Sequence, residues 1–219
     1  MPLRRLEKNE KFDMKLVGKY MSPFVRRVAV TAHYYGLAYE NVPLSTVEGR
    51  EGIKAFNPVT RVPVVELADG TRIVDSSVII DYFDQQAAPE KRLVPASGAE
   101  RFQILSTTAI ALGAAEKMIL SYYEQHRRPA EFVYRPCIEA CDGQAFNGFA
   151  HLEAGMEGDW VAGAKFSHAD IIAAVAISTL RRLDAEAGEK AAARVPRLCA
   201  LTDRCEEMPA FRAAPLPDQ

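Results

Sequence analysis

Three short motifs place residues capable of polar chemistry at the ends of secondary-structure elements. They are Ser22-Pro23-Phe24-Val25-Arg26-Arg27 after an apolar run, Val62-Pro63 before another, and Asp75-Ser76 ahead of an amphipathic stretch. A helix begins with amides that its own turns cannot satisfy, so a group placed there lies in a region suited to negative charge. Ser22 before Pro23 fits such a start, since serine caps helices and proline is tolerated in the first turn. Capping alone would explain this serine equally well. Tyr20 is a second hydroxyl nearby, and its plain reading is an aromatic strand residue. Asp75-Ser76 combines a carboxylate, a hydroxyl and helix-start amides, or simply caps a helix. Val62-Pro63 is an X-Pro bond, the kind that adopts cis at small cost, with a trans proline at a strand start as the alternative.

These groups need elements to position them. Residues 15–19 read as a strand, and a helix then runs from Pro23 to a cap at Gly36. Residues 39–43 form a second strand, and a loop with a short helix leads to Asn57-Pro58, where proline disfavours helical continuation. Residues 63–67 and 72–74 are strands flanking Asp69-Gly70, a hairpin signal. Residues 75–86 place Val78, Ile79, Tyr82 and Phe83 at helical spacing. The resulting order over residues 14–86 is that of a thioredoxin-like α/β domain. Residues 87–97, with Pro89, Pro95 and little periodicity, read as a linker. Residues 98–219 are helical in pattern, giving an all-α C-terminal domain with helices at about 99–126, after Pro129, at about 168–183 and near Leu198. Ser167-His168-Ala169-Asp170 before the apolar run 171–177 is a capping box in its aspartate form, assigned to folding.

Composition narrows the function classes. A chain of 219 residues that is 48% hydrophobic can bury two modest cores. Its net charge of -2 gives no general attraction to nucleic acid, and no basic patch is evident, so no such partner is expected. The run 171–177 falls far short of the ~20 residues that cross a bilayer, so no membrane partner is expected either. Residues 1–13 form a charged arm without the apolar stretch of a signal peptide, which points to a cytoplasmic location. Cys137, Cys141, Cys199 and Cys205 include no Cys-x-x-Cys pair and have no histidine at ligand spacing. They read as buried or partly buried thiols in a reducing compartment, and no metal is expected.

In joint order, Ser22-Pro23-Phe24-Val25-Arg26-Arg27-Val28, Asn57-Pro58 with Arg61-Val62-Pro63-Val64-Val65, Asp75-Ser76 with Ile79 and Tyr82, and Trp160-Val161-Ala162-Gly163 followed by Ser167-His168-Ala169-Asp170 resemble the glutathione S-transferase family. The resemblance covers nearly all of the chain after the charged arm. It is strongest to bacterial members with a serine at the start of the first helix, and Tyr123-Glu124 with Arg127-Arg128-Pro129 is similar to one bacterial subgroup. It implies the glutathione S-transferase fold, glutathione as co-substrate, a cis Val62-Pro63 bond and a homodimer. It also implies roles for residues: Ser22 catalytic, the Val62 backbone paired with the cysteinyl backbone, Asp75 and Ser76 on the γ-glutamyl end, and Arg61 on the glycyl carboxylate. Tyr20 is the rival to Ser22, because other classes use a tyrosine at the end of the first strand. Many related chains have glutamate before this serine, so Asp75 is a shorter variant.

The chemistry agrees with that expectation. A free thiol has a pKa near ~8.5, and lowering it by ~2 units takes about 2.7 kcal/mol of preferential thiolate stabilisation, within reach of a hydroxyl acting with helix-start amides. Phe24, Met118, Tyr122 and Tyr123 could make an apolar wall for a second substrate, or be plain core. The sequence therefore reads as a cytoplasmic glutathione transferase, of the kind used in detoxification, that activates the thiol for attack on a small apolar electrophile. A non-catalytic ligand-binding or interaction protein on the same fold is the alternative.

Overall fold

The structure is a computed structural model and describes residues 13–217. The expected arm, apart from Asp13, lies outside the described residues. The chain divides into two compact units, one running to Leu93 and resuming at Glu207, the other spanning Val94–Glu206.

The first unit is built from β1 (Met14–Val17), α1 (Pro23–Tyr35), β2 (Glu40–Val42), α2 (Arg50–Lys54), β3 (Val64–Leu67), β4 (Arg72–Val74) and α3 (Ser76–Gln86). Its sheet has the order β2-β1-β3-β4, with β1 parallel to β2 and β3 antiparallel to both β1 and β4. Parallel pairing of β1 with β2 requires a crossover, which α1 supplies. Leu16 pairs with Val65 and Val65 with Ile73 across the sheet. The tight β3–β4 turn is closed by Gly70 at φ 86 and by the Asp69 carboxylate, which accepts from the Thr71 amide at 2.8 Å. α1 ends at Gly36, left-handed at φ 69, as the sequence led one to expect. One polar chain runs beneath the sheet edge: the Tyr20 and Tyr39 hydroxyls are 2.5 Å apart, and Tyr39 lies 3.0 Å from His33 Nε2. Burial holds His33 below its ordinary pKa.

The expected linker is better ordered than its composition suggests. It includes a short 3-10 turn, Pro89–Lys91, and Leu93 and Val94 are buried. The Leu93 amide donates to the Tyr35 hydroxyl at 2.9 Å, and that hydroxyl in turn donates to Asp84.

The second unit consists of α4 (Ala99–His126), α5 (Arg135–Ala154), α6 (His168–Leu183), α7 (Ala185–Arg194) and α8 (Pro196–Glu206). Among its described residues no strand forms, only an isolated bridge between Trp160 and Gly163. α5 begins later than Pro129 led one to expect, because Ala130–Phe132 forms a 3-10 turn first. By length and composition α4 could cross a bilayer, which the short-run reading missed. Its Ala111, Ala114, Ala115 and Met118 are buried, and α4 packs on α5 and α6 as a core helix does. The α4–α5 approach is close at Gly148, where a Cβ would come within 2.8 Å of Ala114 Cβ. α6 is the centre of this unit, with 171–177 all 1% exposed or less. At its start Asp170 is fully buried and accepts from the Val161 amide (2.8 Å), the Ser167 amide (2.8 Å) and the Ser167 hydroxyl (2.9 Å).

The last segment departs from the expected 98–219 helical domain. From Glu207 the chain rejoins the first unit, where α9 (Pro209–Arg212) packs on α1. The Arg26 Nε donates to the Ala214 carbonyl at 2.9 Å, and its guanidinium lies 5.8 Å over the Phe211 ring. A buried cation therefore finds its partners far along the chain.

Two outcomes follow from these networks. Asp170→Ala strands three buried donors and is expected to cost about 3 kcal/mol or more, read as a fall of roughly 6–12 °C in melting temperature. A drop under ~2 °C would show the box to be dispensable. Because the folded pKa of His33 lies below its unfolded value, the unfolded chain takes up the proton first, and stability falls as pH drops below about 6.5. His33→Gln should lose less stability than the wild type between pH 7.0 and roughly 5.5, followed by thermal melting.

Candidate functional site

The first motif is held by the β1–α1 connection. Gly18 adopts φ 131, and a Cβ there would sit 2.5 Å from Val25 Cγ2 and 3.1 Å from Val62 Cβ. Only glycine permits this approach. Asn41 Nδ2 donates to the Leu16 and Gly18 carbonyls at 3.2 Å each, tying β2 to the same turn. Ser22 then caps α1 from extended backbone (φ -74, ψ 120), and its Oγ accepts from the Val25 amide at 3.4 Å. That bond is long, and no described group takes the hydroxyl proton. Half-buried Ser22 therefore keeps a donor available at the positive end of a 13-residue helix. Tyr20 differs, since its hydroxyl is hydrogen-bonded to that of Tyr39 and burial raises its pKa.

The second motif has the cis Val62-Pro63 bond that the resemblance implied. Val62 is half-buried immediately before β3, and among the described residues no hydrogen bond engages its amide or carbonyl. Asn57 fixes the approach: its Nδ2 donates to the Arg61 carbonyl at 3.0 Å and its Oδ1 accepts from the Val59 amide at 3.0 Å. The loop thus presents an unspent backbone edge that an extended chain can pair with. The Arg61 side chain is exposed.

At the third motif Asp75 caps α3 from φ 73 and ψ 130, a region that non-glycine residues seldom occupy. Its Oδ1 accepts from the Ser77 amide at 2.7 Å, and its carboxylate remains exposed. Ser76 is 4% exposed, and neither its hydroxyl nor the Ser76 and Val78 amides has a partner among the described residues. An anionic group and a cationic group can therefore be held a few ångströms apart, one on the helix start and one on Asp75.

Arg27 is the residue that motif reading missed. It stands on α1 only 2% exposed, and its Nη1 is buried without a partner. Burial pushes the guanidinium down to about 10 while the Asp75 carboxylate pulls in the other direction, so Arg27 stays a cation at neutral pH. The positive field beneath Asp75 comes from this side chain. The available signal was a pair of arginines inside a helix that from Val25 to Ala32 is otherwise apolar except for Thr31.

The apolar candidates are distributed over both units. Phe24 is half-buried on α1. Met118 and Tyr122 line a cavity of about 250 Å³ within the helical unit, where the Tyr122 ring is stacked on His126 at 4.3 Å. Tyr123 is covered instead by Arg127, 3.5 Å above its ring. Of the cysteines, Cys137 is exposed, contrary to the expectation of buried or partly buried thiols, and Cys141, Cys199 and Cys205 are buried. Burial raises the latter three thiols, Cys205 to about 12. Among the described residues no group of three or more His, Cys, Asp or Glu side chains is placed to hold a metal ion.

The chain is 31% identical over 119 residues to the uncharacterized GST-like protein YibF of Escherichia coli, a match spanning 54% of this chain and 58% of that relative. It is 28% identical over 214 residues to a probable maleylacetoacetate isomerase of Vibrio cholerae, spanning 91% and 94% of the two chains. A crystal structure of a glutathione transferase family member from Pseudomonas fluorescens Pf-5, with bound glutathione, superposes with a TM-score of 0.84 at 27% identity, covering 94% of this chain and 100% of that one. Residues 16–91 match the glutathione S-transferase N-terminal domain and residues 114–209 its C-terminal domain. With a thioredoxin-like unit, a helical unit and both domain models matched, the chain belongs to the glutathione S-transferase family.

Proposed function

We propose that this protein is a glutathione transferase in which Ser22 stabilises the glutathione thiolate for attack on a small apolar electrophile. The observation that carries the assignment of Ser22 is the contrast between two hydroxyls: Ser22 keeps an unspent donor at a helix start, whereas Tyr20 is bonded to Tyr39. The bound glutathione of the Pseudomonas relative supports the choice of co-substrate.

Each remaining motif then takes one part of the tripeptide. The Val62 backbone pairs with the cysteinyl residue as an added strand. Asp75 receives the γ-glutamyl ammonium, while Ser76 and the α3 amides receive its carboxylate. Arg61 reaches the glycyl carboxylate. Arg27 acts through Asp75 as a positioning residue, its buried charge facing the carboxylate. Phe24 offers apolar surface to the electrophile; Met118 and Tyr122 take another role below. Catalysis of this kind rests on orientation and electrostatics, because glutathione brings its own nucleophile.

A second reading follows from the Vibrio cholerae relative, matched over nearly its whole length. The same thiolate can add to a conjugated double bond, allow rotation and leave again, so that glutathione is regenerated. Transfer consumes glutathione; isomerisation does not. An exposed apolar series on α4, Phe102, Leu105 and Leu120, together with Val74 and Val78 of the first unit, supports a homodimer. We place the protein in the cytoplasm.

Two measurements test the site. Ser22→Ala should raise the pKa of bound glutathione and cut turnover at neutral pH by roughly 10- to 1,000-fold, with partial recovery as pH rises and little change in affinity. Tyr20→Phe should leave that pKa in place, and the reverse pattern would move the assignment to Tyr20. Asp75→Ala should weaken glutathione about tenfold by calorimetry, because it removes a charge-assisted partner. Absence of any glutathione binding at millimolar concentration would leave the non-catalytic alternative standing.

A further inference from the structure

The cavity of about 250 Å³ in the helical unit has a lining that the transferase reading does not use. Its floor is apolar, with Met118 of α4, Ile138 and Phe149 of α5, and Leu180 of α6 all buried. That space suits one ring carrying a short chain. The stacked Tyr122–His126 pair supplies an aromatic wall.

The charged side chains around this floor are unequally committed. Lys190 already lies 5.1 Å over the Phe146 ring, and the Asp184 carboxylate accepts from the Ala187 amide at 3.0 Å as the cap of α7. Glu139, Asp142 and Glu186 have no ion pair or hydrogen bond within the described structure, and neither has Arg135. Four carboxylates, Glu139, Asp142, Asp184 and Glu186, therefore line the cavity against two cations, Arg135 and Lys190, and the rim is net negative. Carboxylates set at the edge of an apolar pocket interact more strongly than the same charges in open water, and they favour a cation.

We propose that this cavity is a second small-molecule site whose ligand is an amphipathic organic monocation: an aromatic or compact alkyl body with an ammonium or amidinium head. The body covers Met118, Ile138, Phe149 and Leu180. The head lies among Glu139, Asp142 and Glu186, with the Tyr122 ring available for a cation–π contact. An anionic head of equal size meets four like charges and two opposite ones. All of these residues belong to the helical unit, and none is assigned to glutathione. The site stands whether or not the protein is a transferase.

The test is calorimetric titration of the full chain with three probes of matched shape: 2-phenylethylammonium, 3-phenylpropanoate and neutral 2-phenylethanol, each in the presence and absence of saturating glutathione. The ammonium should bind saturably at one site, at least tenfold tighter than the carboxylate, with an affinity that glutathione leaves unchanged and that salt weakens. The double variant Glu139→Gln, Asp142→Asn should lose at least tenfold in ammonium affinity while its melting temperature and glutathione turnover stay at wild-type values. If that variant proves unstable, Glu186→Gln on α7 should still weaken the ammonium severalfold. No saturation at millimolar ammonium, equal affinity for cation and anion, loss of binding under saturating glutathione, or full affinity in a folded charge variant would each overturn the proposal.

Discussion

The candidate site depends on a backbone approach at Gly18 that no side chain could occupy. A Cβ at this position would collide with Val25 on the first turn of α1 and press on Val62 before β3. Three segments meet there: the end of β1, the helix that carries Ser22, and the loop that carries Val62. Because the sheet fixes β1 between β2 and β3, the approach sets where the serine hydroxyl and the unspent backbone edge stand relative to each other. Asn41 and Asn57 reinforce the turn and the loop from either side with side-chain bonds to backbone carbonyls. Preorganisation of this kind leaves the serine hydroxyl and the backbone edge in place without rearrangement.

Charge inside the first unit is arranged by burial as much as by pairing. α1 carries two adjacent buried arginines with different solutions to the same cost. Arg26 finds a carbonyl and an aromatic ring, and Arg27 keeps an unpartnered Nη1 with the Asp75 carboxylate in its field. A desolvated cation with an incomplete set of partners is unfavourable for stability, and such groups persist where they serve an electrostatic purpose. Asp75 shows the complementary compromise, since a non-glycine residue is held left-handed at φ 73 while its carboxylate stays exposed.

Much of this was legible from sequence because it lies in local patterns. Pro23, Gly36 and Asp69-Gly70 each impose a backbone conformation, and the Ser167/Asp170 pair announces its own capping geometry, so the corresponding boundaries could be read directly. Partners distant in the chain could not. Nothing near Arg27 signals that it lies within the field of Asp75, and nothing near Tyr20 signals that Tyr39 takes its hydroxyl. α7 was missed for a related reason. Its alanines and charges give a helix with little apolar surface, and only Gly188 and Ala191 are buried. The linker was underestimated because the Tyr35 hydroxyl that orders Leu93 comes from α1.

The return of the segment after α8 to the first unit bears on how the chain matures during synthesis. Arg26 is synthesised before the whole helical unit, yet the carbonyl and the ring that accommodate its charge belong to Ala214 and Phe211, which follow that unit. The first unit therefore cannot reach its final packing by folding vectorially, however readily its sheet assembles, until the helical segment and residues 207–214 have been translated. For the same reason a premature stop after α8 would strip α9 from α1 and leave the Arg26 guanidinium without its carbonyl and ring, opening a face of the first unit to misassembly.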